Sequence, residues 1–364
     1  MRIAIDARAA AEVPAGRGRY VRELLLGLGR LDADHEYRLV TSRPWLEGDL
    51  DSRFSWEIVG AAGLRWPLVA GRLMSRHADV ALACTSYAVT VPWRVPGAAI
   101  VYDFVAFDRR LRPPRGALLE RVTLPLALRR CGALIAISET TRRELIDRFP
   151  SAEGRASVAT AAASAAYTPQ PGEDDEAILE RHGLRRPYVL VTGTVEPRKN
   201  LPRVIEAFAS LEPRIREGWT LGIAGAAGWG YSDPSAAVAA HRELARMLGF
   251  VAEADLPCLY RHAELVCYLS LYEGFGLPVL EALASGTAVL TSSASSMPEV
   301  GGSAALYADP YDVGDIARAL GGLLGDRELR ERSAAAGPAQ AARFDWTASA
   351  RHVLDVLEQL GRRA

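Results

Sequence analysis

The sequence predicts an α/β protein built from two Rossmann-like domains with parallel sheets, and three observations support this fold class. The chain has 364 residues, a length that suits two domains. Short apolar segments alternate with longer helical patterns, as expected for parallel strands buried on both faces. A proline-rich segment interrupts this alternation, which then begins again. Two successive sets of such elements indicate two domains of the same kind.

The predicted strands fall into two groups. The first half of the chain contains six candidates, which are Ile3–Asp6, Tyr37–Thr41, Trp56–Val59, Val80–Ala83, Ala99–Tyr102 and Leu134–Ile137. The second half contains five candidates, which are Tyr188–Thr192, Leu221–Ala224, Leu265–Leu269, Ala288–Thr291 and Ala305–Tyr307. A helix is predicted at 202–211, after the first strand of the second group. Because ligands bind beyond the carboxyl ends of parallel strands, we expect a site in a cleft between the two sheets.

The predicted domain boundary is a linker at 167–172, where Pro169 and Pro171 disfavour both helix and sheet. The domains are therefore expected at 1–168 and 169–345, followed by a C-terminal segment at 346–364. Residues 346–360 have the amphipathic pattern of a helix. The acidic run at 173–176 is typical of a solvated helix start, so we predict no metal site there.

The composition excludes several classes of protein. Apolar residues make up 49% and charged residues 24%, which is typical of a soluble globular enzyme. The net charge of −1 gives no indication of a nucleic-acid partner, and no apolar run is long enough to span a bilayer. The N-terminus has the pattern of a strand and not of a signal peptide. Four dispersed cysteines indicate reduced, buried thiols and hence a cytoplasmic protein without a zinc site.

The most informative segment is Glu-Gly-Phe-Gly-Leu-Pro-Val-Leu-Glu at 273–281. Pro278 suits the first turn of a helix, and Gly274 and Gly276 allow backbone to approach a ligand closely. The free N–H groups of such a helix start favour an anion such as phosphate. The carboxylates of Glu273 and Glu281 are good acceptors for hydroxyl groups. The segment therefore suits a ligand that carries both phosphates and hydroxyls, as a nucleotide sugar does.

Two cations follow the first strand of the second group. Arg198 and Lys199 lie between that strand and the next helix, so we expect them at the carboxyl end of the strand. There they can neutralise the charge that develops on a departing nucleotide diphosphate. A paired-carboxylate hydrolase would also use two glutamates, but it would leave the phosphate-binding features unexplained.

Five segments of the second half occur in a recognisable order: GTVEPRKNL at 193–201, LPCLYRHA at 256–263, YEGFGLPVLEA at 272–282, SGT at 285–287 and MPEVGG at 297–302. Together they resemble the retaining glycosyltransferases of family 4, which have the GT-B fold. The resemblance covers nearly all of the C-terminal half and is looser in the N-terminal half. It implies parallel sheets that face a central cleft, and a C-terminal helix that crosses back to the first domain. The block at 196–200 is most similar to mannosyltransferases.

The resemblance implies a role for each donor-site residue. Lys199 and Arg198 would stabilise the leaving phosphates, Glu273 would bind the hexose hydroxyls, and Glu281 would bind the ribose. The residues expected to present backbone to the sugar and phosphates are Gly274, Phe275, Gly276 and Leu277. Phe250 and Val251 are expected beside the nucleobase, with core packing as an equal alternative. The first cation of related sites is often an arginine after the strand glycine, a position held here by Thr194.

In the N-terminal half the resemblance implies that Gly16 approaches the donor phosphate and that Tyr102 and Asp103 lie near the reacting sugar. Relatives usually carry a histidine where this chain has Tyr102, and tyrosine is a poor base near neutral pH. Residues 158–163 also lack the proline–asparagine–glycine turn of relatives. The arginine-rich stretch at 109–115 could bind an anionic acceptor or lipid head groups, or be a solvated loop.

The expected function is retaining, metal-independent transfer of a hexose, with mannose from GDP-mannose as the first choice. The acceptor would be a hydroxyl of a glycan, a lipid-linked glycan or a secondary metabolite. No cofactor is expected beyond the nucleotide-sugar substrate. The expected location is cytoplasmic, with a possible peripheral contact at the inner face of the membrane. Two alternatives remain open, which are a non-catalytic nucleotide-sugar-binding subunit and a sugar-phosphate synthase or phosphorylase on the same scaffold.

Overall fold

The structure is a computed structural model that describes residues 1–12, 16–45, 48–63, 65–108, 110–111, 114–226, 228, 238, 241 and 243–363. The chain divides into two compact units. The first comprises Met1–Ala161 together with Asp345–Ala364, and the second comprises Ala162–Phe344. Each unit contains its own parallel sheet, so the α/β class and the two Rossmann-like sheets predicted from the sequence are confirmed.

The first unit is built on seven parallel strands. They are β1 (Arg2–Asp6), β2 (Glu36–Thr41), β3 (Phe54–Ile58), β4 (Val80–Ala83), β5 (Gly97–Val101), β6 (Ala133–Ala136) and β7 (Ala156–Val158). Their order in the sheet is β3-β2-β1-β4-β5-β6-β7. The central strand β1 pairs with β2 and β4, so that Ile3 lies between Tyr37 and Val80. The side chains of these three residues are buried.

Among the described residues up to Ala161, the first unit has five α-helices and three short 3-10 helices. The α-helices are α1 (Arg8–Glu12), α2 (Arg17–Arg30), α3 (Arg65–Arg76), α4 (Pro114–Arg130) and α5 (Glu139–Arg148). The 3-10 helices are Tyr87–Thr90, Val105–Phe107 and Pro150–Ala152.

The second unit has a six-stranded parallel sheet of β8 (Tyr188–Thr192), β9 (Thr220–Ala224), β10 (Ala245–Gly249), β11 (Leu265–Tyr268), β12 (Ala288–Ser292) and β13 (Leu306–Ala308). Their order is β10-β9-β8-β11-β12-β13. Its helices are α6 (Asp175–His182), α7 (Leu201–Ser210), α8 (Pro213–Arg216), α9 (Leu256–His262), α10 (Leu277–Ala284), α11 (Met297–Gly301), α12 (Val313–Gly325) and α13 (Arg327–Ala341). A 3-10 helix at Pro197–Lys199 follows β8.

The last helix, α14 (Trp346–Arg362), belongs to the first unit. Asp345 caps it, because the carboxylate accepts from the N–H groups of Thr347 and Ala348 at 3.2 and 2.9 Å. The buried face of α14 packs against α2, where a Cβ added to Gly27 would lie 2.9 Å from the Cβ of Ala350. The glycine therefore permits this close helix contact.

Two strands, β7 and β10, are additional to those predicted. Both lie at an edge of their sheet, and most of their side chains are only half-buried. An edge strand needs no continuous apolar run, which is why the sequence pattern missed them. None of the helices in the described ranges has the length and apolar character required to cross a membrane.

Candidate functional site

The predicted donor residues come together at the carboxyl end of the second sheet. Strands β8 and β11 are neighbours there, although β9 and β10 separate them in the sequence. The chain leaves β8 toward the 3-10 helix Pro197–Lys199 and leaves β11 toward the start of α10. In open α/β sheets, ligands bind at this kind of reversal in strand order.

A buried charge cluster joins the two loops. The Nη1 atom of Arg198 lies 2.5 Å from Oε2 of Glu273, and Nζ of Lys199 lies 2.5 Å from Oε1. The Nε atom of Arg198 also lies 2.6 Å from Oε1 of Glu196. Two cations and two carboxylates cancel in formal charge. Glu273 therefore holds both cations that the sequence indicated for phosphate binding.

Tyr268, the last residue of β11, completes the cluster. Its hydroxyl donates to Oε1 of Glu273 at 2.8 Å and accepts from Nζ of Lys199. The loops are also joined through backbone, because the N–H of Leu271 donates to the carbonyl of Arg198 at 2.8 Å. Sequence reasoning missed Tyr268 and Glu196, since a tyrosine at the end of an apolar strand is typical of a core residue.

The cluster shifts the titration of its members. Burial lowers the pKa of Lys199, and the neighbouring Arg198 lowers it further. Burial acts to raise the pKa of Glu273, but Arg198 and Lys199 outweigh it and hold that pKa well below its usual range. Burial opposes the charge of Arg198, yet Glu273 keeps its pKa raised. Glu273 is therefore ionised at neutral pH, and Lys199 loses its proton more readily than an ordinary lysine.

Among the described residues, the start of α10 leaves several backbone N–H groups free. Gly276 has φ 120°, and a Cβ at this position would lie 2.4 Å from Cε of Met297. Within the described chain, the N–H groups of Phe275, Gly276 and Leu277 have no hydrogen-bond partner. Free N–H groups at a helix start attract negative charge.

Two serines fix the backbone that leads into this helix. The N–H of Glu273 donates to Oγ of Ser295 at 3.1 Å. Oγ of Ser296 donates to the carbonyls of Glu273 and Phe275 at 3.0 and 2.5 Å. The Phe275 side chain is buried and contacts Phe344 edge-on, with ring centroids 5.5 Å apart. Hydrogen bonds from the two serines to its backbone, and the packing of the Phe275 side chain, thus fix the segment at 273–276, which includes Gly274.

Glu281 lies on α10 and is buried. Its carboxylate is hydrogen-bonded to the hydroxyl of Tyr260, and burial together with this carboxylate raises the pKa of that hydroxyl. The Tyr260 hydroxyl is also 2.7 Å from Oγ1 of Thr192, at the end of β8. A buried carboxylate that already engages one hydroxyl is suited to accept others.

The two residues predicted beside the nucleobase have different surroundings. Phe250, which follows β10, is 71% exposed, whereas Val251 is buried. A large exposed aromatic ring at the carboxyl end of a strand can stack on a planar ligand. The buried Val251 side chain packs in the protein, as the alternative interpretation expects.

In the first unit, Tyr102 faces inward. Its hydroxyl donates to the carbonyl of Cys84 at 2.8 Å, and its ring contacts Tyr20 edge-on at 5.5 Å. The guanidinium of Arg17 lies over the Tyr102 ring at 5.1 Å and pairs with Glu120 at 2.9 Å. Burial raises the pKa of Tyr102 well above its usual range. The Tyr102 hydroxyl is therefore protonated at neutral pH and acts as a donor to a backbone carbonyl.

Gly16 and Asp103 each lie just before a helix of the first unit. Gly16, with φ 58°, immediately precedes α2. Oδ1 of Asp103 accepts from the N–H of Val105 at 3.0 Å, at the start of the 3-10 helix Val105–Phe107. Residues 109, 112 and 113 of the predicted arginine-rich stretch lie outside the described residues.

The acidic run contributes one buried carboxylate, Asp175. Its Oδ2 atom lies 2.8 Å from Nε of Arg261 and 2.7 Å from Nε2 of His262, and Cys258 is close by. Although burial acts to raise the pKa of Asp175, these partners and the N–H of Gly172 lower it to about 2. An arginine paired with the carboxylate makes this cluster a poor site for a cation.

Residues 174–340 match the family model described as glycosyl transferases group 1. O-antigen chain mannosyltransferase B of Escherichia coli is 36% identical over 218 residues, which are 58% of this chain and 57% of that protein. Alpha-D-kanosaminyltransferase of Streptomyces kanamyceticus is 27% identical over 388 residues, with 97% of this chain and 98% of that protein covered. The chain thus spans a little over half the length of the mannosyltransferase it matches.

Among solved structures, Anabaena HepE in complex with UDP and glucose superimposes with a TM-score of 0.77. The alignment covers 99% of this chain and 100% of HepE at 19% sequence identity, so it bears on the fold alone. The match to the glycosyl transferases group 1 model lies within the second unit, and the two parallel sheets of the chain are those of the GT-B fold.

Proposed function

We propose that this protein is a retaining glycosyltransferase that moves a hexose from a nucleotide diphosphate to a hydroxyl group, without a metal ion. One observation carries the proposal: Arg198, Lys199 and Glu273 meet beside the free N–H groups at the start of α10. This arrangement offers positive charge for phosphates and a carboxylate for sugar hydroxyls in adjoining positions.

The leaving diphosphate would be stabilised by the helix start and the two cations. In the transfer, the bond from the anomeric carbon to the phosphate oxygen breaks, and a bond to the acceptor oxygen forms on the same face. The phosphate oxygen that leaves takes the proton of the acceptor hydroxyl. Positive charge from Arg198 and Lys199 at this point lowers the barrier, because it acts where negative charge develops. These two side chains would supply the charge that a metal ion supplies elsewhere.

Donor binding requires a rearrangement of the charge cluster. In this structure, cations engage both carboxylate oxygens of Glu273. A diphosphate would replace Glu273 as a partner of Lys199 or Arg198, and would free carboxylate lone pairs for the hexose. Glu281 would then hold the ribose, with Tyr260 fixing its orientation.

GDP-mannose is the proposed donor. The choice is supported by the 36% identity to a mannosyltransferase of Escherichia coli. The solved Anabaena relative contains UDP and glucose, so the base and the sugar need a direct test. The proposed acceptor is a hydroxyl of a glycan, a lipid-linked glycan or a secondary metabolite.

The test is calorimetric binding of GDP, UDP, dTDP and ADP to the intact protein and to two variants, Lys199→Ala and Glu281→Ala. We expect one nucleotide to bind in the micromolar range and to bind at least tenfold more weakly to both variants. Arg214→Ala is the matched control, because it removes one positive charge from an exposed site of the same unit. Failure of all four nucleotides to bind would overturn the proposal.

A non-catalytic nucleotide-sugar-binding subunit is the second candidate, and the Tyr102 hydroxyl bond to Cys84 favours it. The nucleotide that binds would be supplied as its mannose or glucose conjugate, and release of free nucleotide would be followed with and without simple glycoside acceptors. Turnover in the wild type supports catalysis. Binding without turnover, together with turnover in Tyr102→His, would support a degenerate site.

A further inference from the structure

Helix α4 carries an apolar stripe on its exposed face. Leu118 is 65% exposed, Val122 is 54% exposed and Leu126 is 38% exposed, and these residues follow one another at intervals of four. On the opposite face, Leu124 and Ala127 are buried in the first unit. Side chains four residues apart lie on the same side of a helix, so the three form one continuous strip.

A cationic pocket lies at the C-terminal end of this strip. It has a volume of about 620 Å³, and its lining includes four arginines, Arg72, Arg76, Arg94 and Arg130. Arg130 is the last residue of α4 and stands four residues after Leu126. Within the described chain, none of these four guanidinium groups has an ion-pair partner. Four like charges gathered on one exposed surface, with no carboxylate paired to them in the described chain, favour the binding of an anion.

Helix α3 repeats the arrangement. Leu68 and Val69 are exposed in its first half, and Arg72 and Arg76 follow in its second half. Helix α3 contains no acidic residue, and the single one of α4 is buried. Both helices pack against the 3-10 helix at Tyr87–Thr90. The net charge of the whole chain is −1, so this positive surface is a local feature.

We propose that the exposed faces of α3 and α4 form a docking surface for bilayers that contain anionic phospholipids. The four arginines would bind lipid phosphates, and the exposed leucines and valines would enter the boundary between head groups and acyl chains. Apolar side chains beside unpaired cations match both parts of such a surface. A free phosphate ion would use the arginines alone and would leave the apolar strip unexplained. The inference goes beyond the transfer reaction and does not depend on it.

The experiment is flotation of the intact protein with vesicles of phosphatidylcholine containing 30 mol% phosphatidylglycerol, compared with vesicles of phosphatidylcholine alone. We expect binding to the anionic vesicles that weakens as salt is added. The double variant Arg72→Gln with Arg130→Gln should weaken vesicle binding about 25-fold. Each arginine near a membrane surface contributes about fivefold to the affinity, and the two losses multiply. Leu118→Gln with Val122→Gln should also weaken it at least tenfold.

Matched controls keep the test specific. Arg143→Gln with Arg332→Gln removes the same charge from two side chains that are each 65% exposed elsewhere, and Ile58→Gln replaces an exposed apolar residue outside both helices. These controls should bind as the wild type does. Absence of vesicle binding, or binding that ignores the apolar pair and is displaced by millimolar inorganic phosphate, would overturn the proposal. All the changed side chains are exposed, and thermal melting would establish that each variant is folded.

Discussion

Glu273 pairs with the two cations that are proposed to bind a diphosphate. Its carboxylate lies 2.5 Å from both Arg198 and Lys199, inside a cluster whose charges cancel. A nucleotide must therefore compete with Glu273 for these partners. The same residue is proposed to bind the sugar, so its effects on affinity and on turnover should differ in sign.

The variant Glu273→Gln should bind the nucleoside diphosphate about three- to tenfold more tightly, because a competing negative charge is removed. It should also lose at least 100-fold in turnover, because the amide is a weaker partner for the hexose hydroxyls. Calorimetry and initial rates measure the two effects separately. Glu212→Gln changes the same charge at an exposed site of the same unit and serves as the control. If affinity and turnover fell together, Glu273 would act by maintaining the fold of the site.

Tyr102 occupies the position where the family resemblance predicts a histidine. Its hydroxyl donates to the Cys84 carbonyl, and its ring supports the Arg17 guanidinium. The variant Tyr102→Phe should retain turnover within about threefold and lose about 1 kcal/mol of unfolding free energy, because only the buried hydrogen bond is removed. Urea unfolding and initial rates test this expectation. A 100-fold loss of turnover at unchanged stability would instead give the hydroxyl a direct role.

At this scale the motif in the sequence predicted roles for Lys199, Glu273 and Glu281, but it gave no indication of the contacts made by Tyr268, Tyr260 and the two serines. The missed residues act through contacts between segments that are distant in the chain, such as Ser296 with the carbonyl of Phe275. A pattern read along one segment contains no information about such contacts.

Among the elements, α10 depends most on a single backbone geometry. Gly276 adopts φ 120° where the chain enters the helix, and Met297 occupies the space that a Cβ would need. The sequence indicated the helix start through Pro278 and the flanking glycines. It could not indicate Met297, which comes from α11.

The variant Gly276→Ala should lose about 1–3 kcal/mol of unfolding free energy and most of its nucleotide affinity. Both the positive φ and the contact with Met297 disfavour the added methyl group. Gly322→Ala in α12 is the control, because a Cβ there meets no atom within 4 Å, and it should be neutral or slightly stabilising. Denaturant unfolding and calorimetry measure both variants. Full nucleotide affinity in Gly276→Ala would contradict an anion site at this helix start.

Considered as a whole, the chain uses the same strand order twice. The reversal lies between β8 and β11 in the second sheet and between β1 and β4 in the first. In the second sheet, Lys199 and Glu273 lie in the loops at this reversal. In the first it holds Asp6, whose Oδ2 atom accepts from the N–H groups of Thr85 and Ser86 at 3.0 Å each. The sequence predicted both sheets from their apolar strands, but Asp6 was predicted only as a strand residue, because its partners follow β4.

Asp6 should make the first unit less stable as pH rises through about 6. Burial raises its pKa from 3.8 to about 6, although the N–H groups of Ser86 and Thr85 act to lower it. Between pH 4 and 6 the folded state therefore binds more protons than the unfolded state, so unfolding free energy falls by about 2 kcal/mol across this window. The variant Asp6→Asn does not titrate, and its stability relative to the wild type should rise by this amount between pH 4 and 7. Hydrogen exchange of the β1 amides, corrected for intrinsic rates, follows the first unit directly. Parallel pH profiles for the two proteins would show that Asp6 has an ordinary pKa.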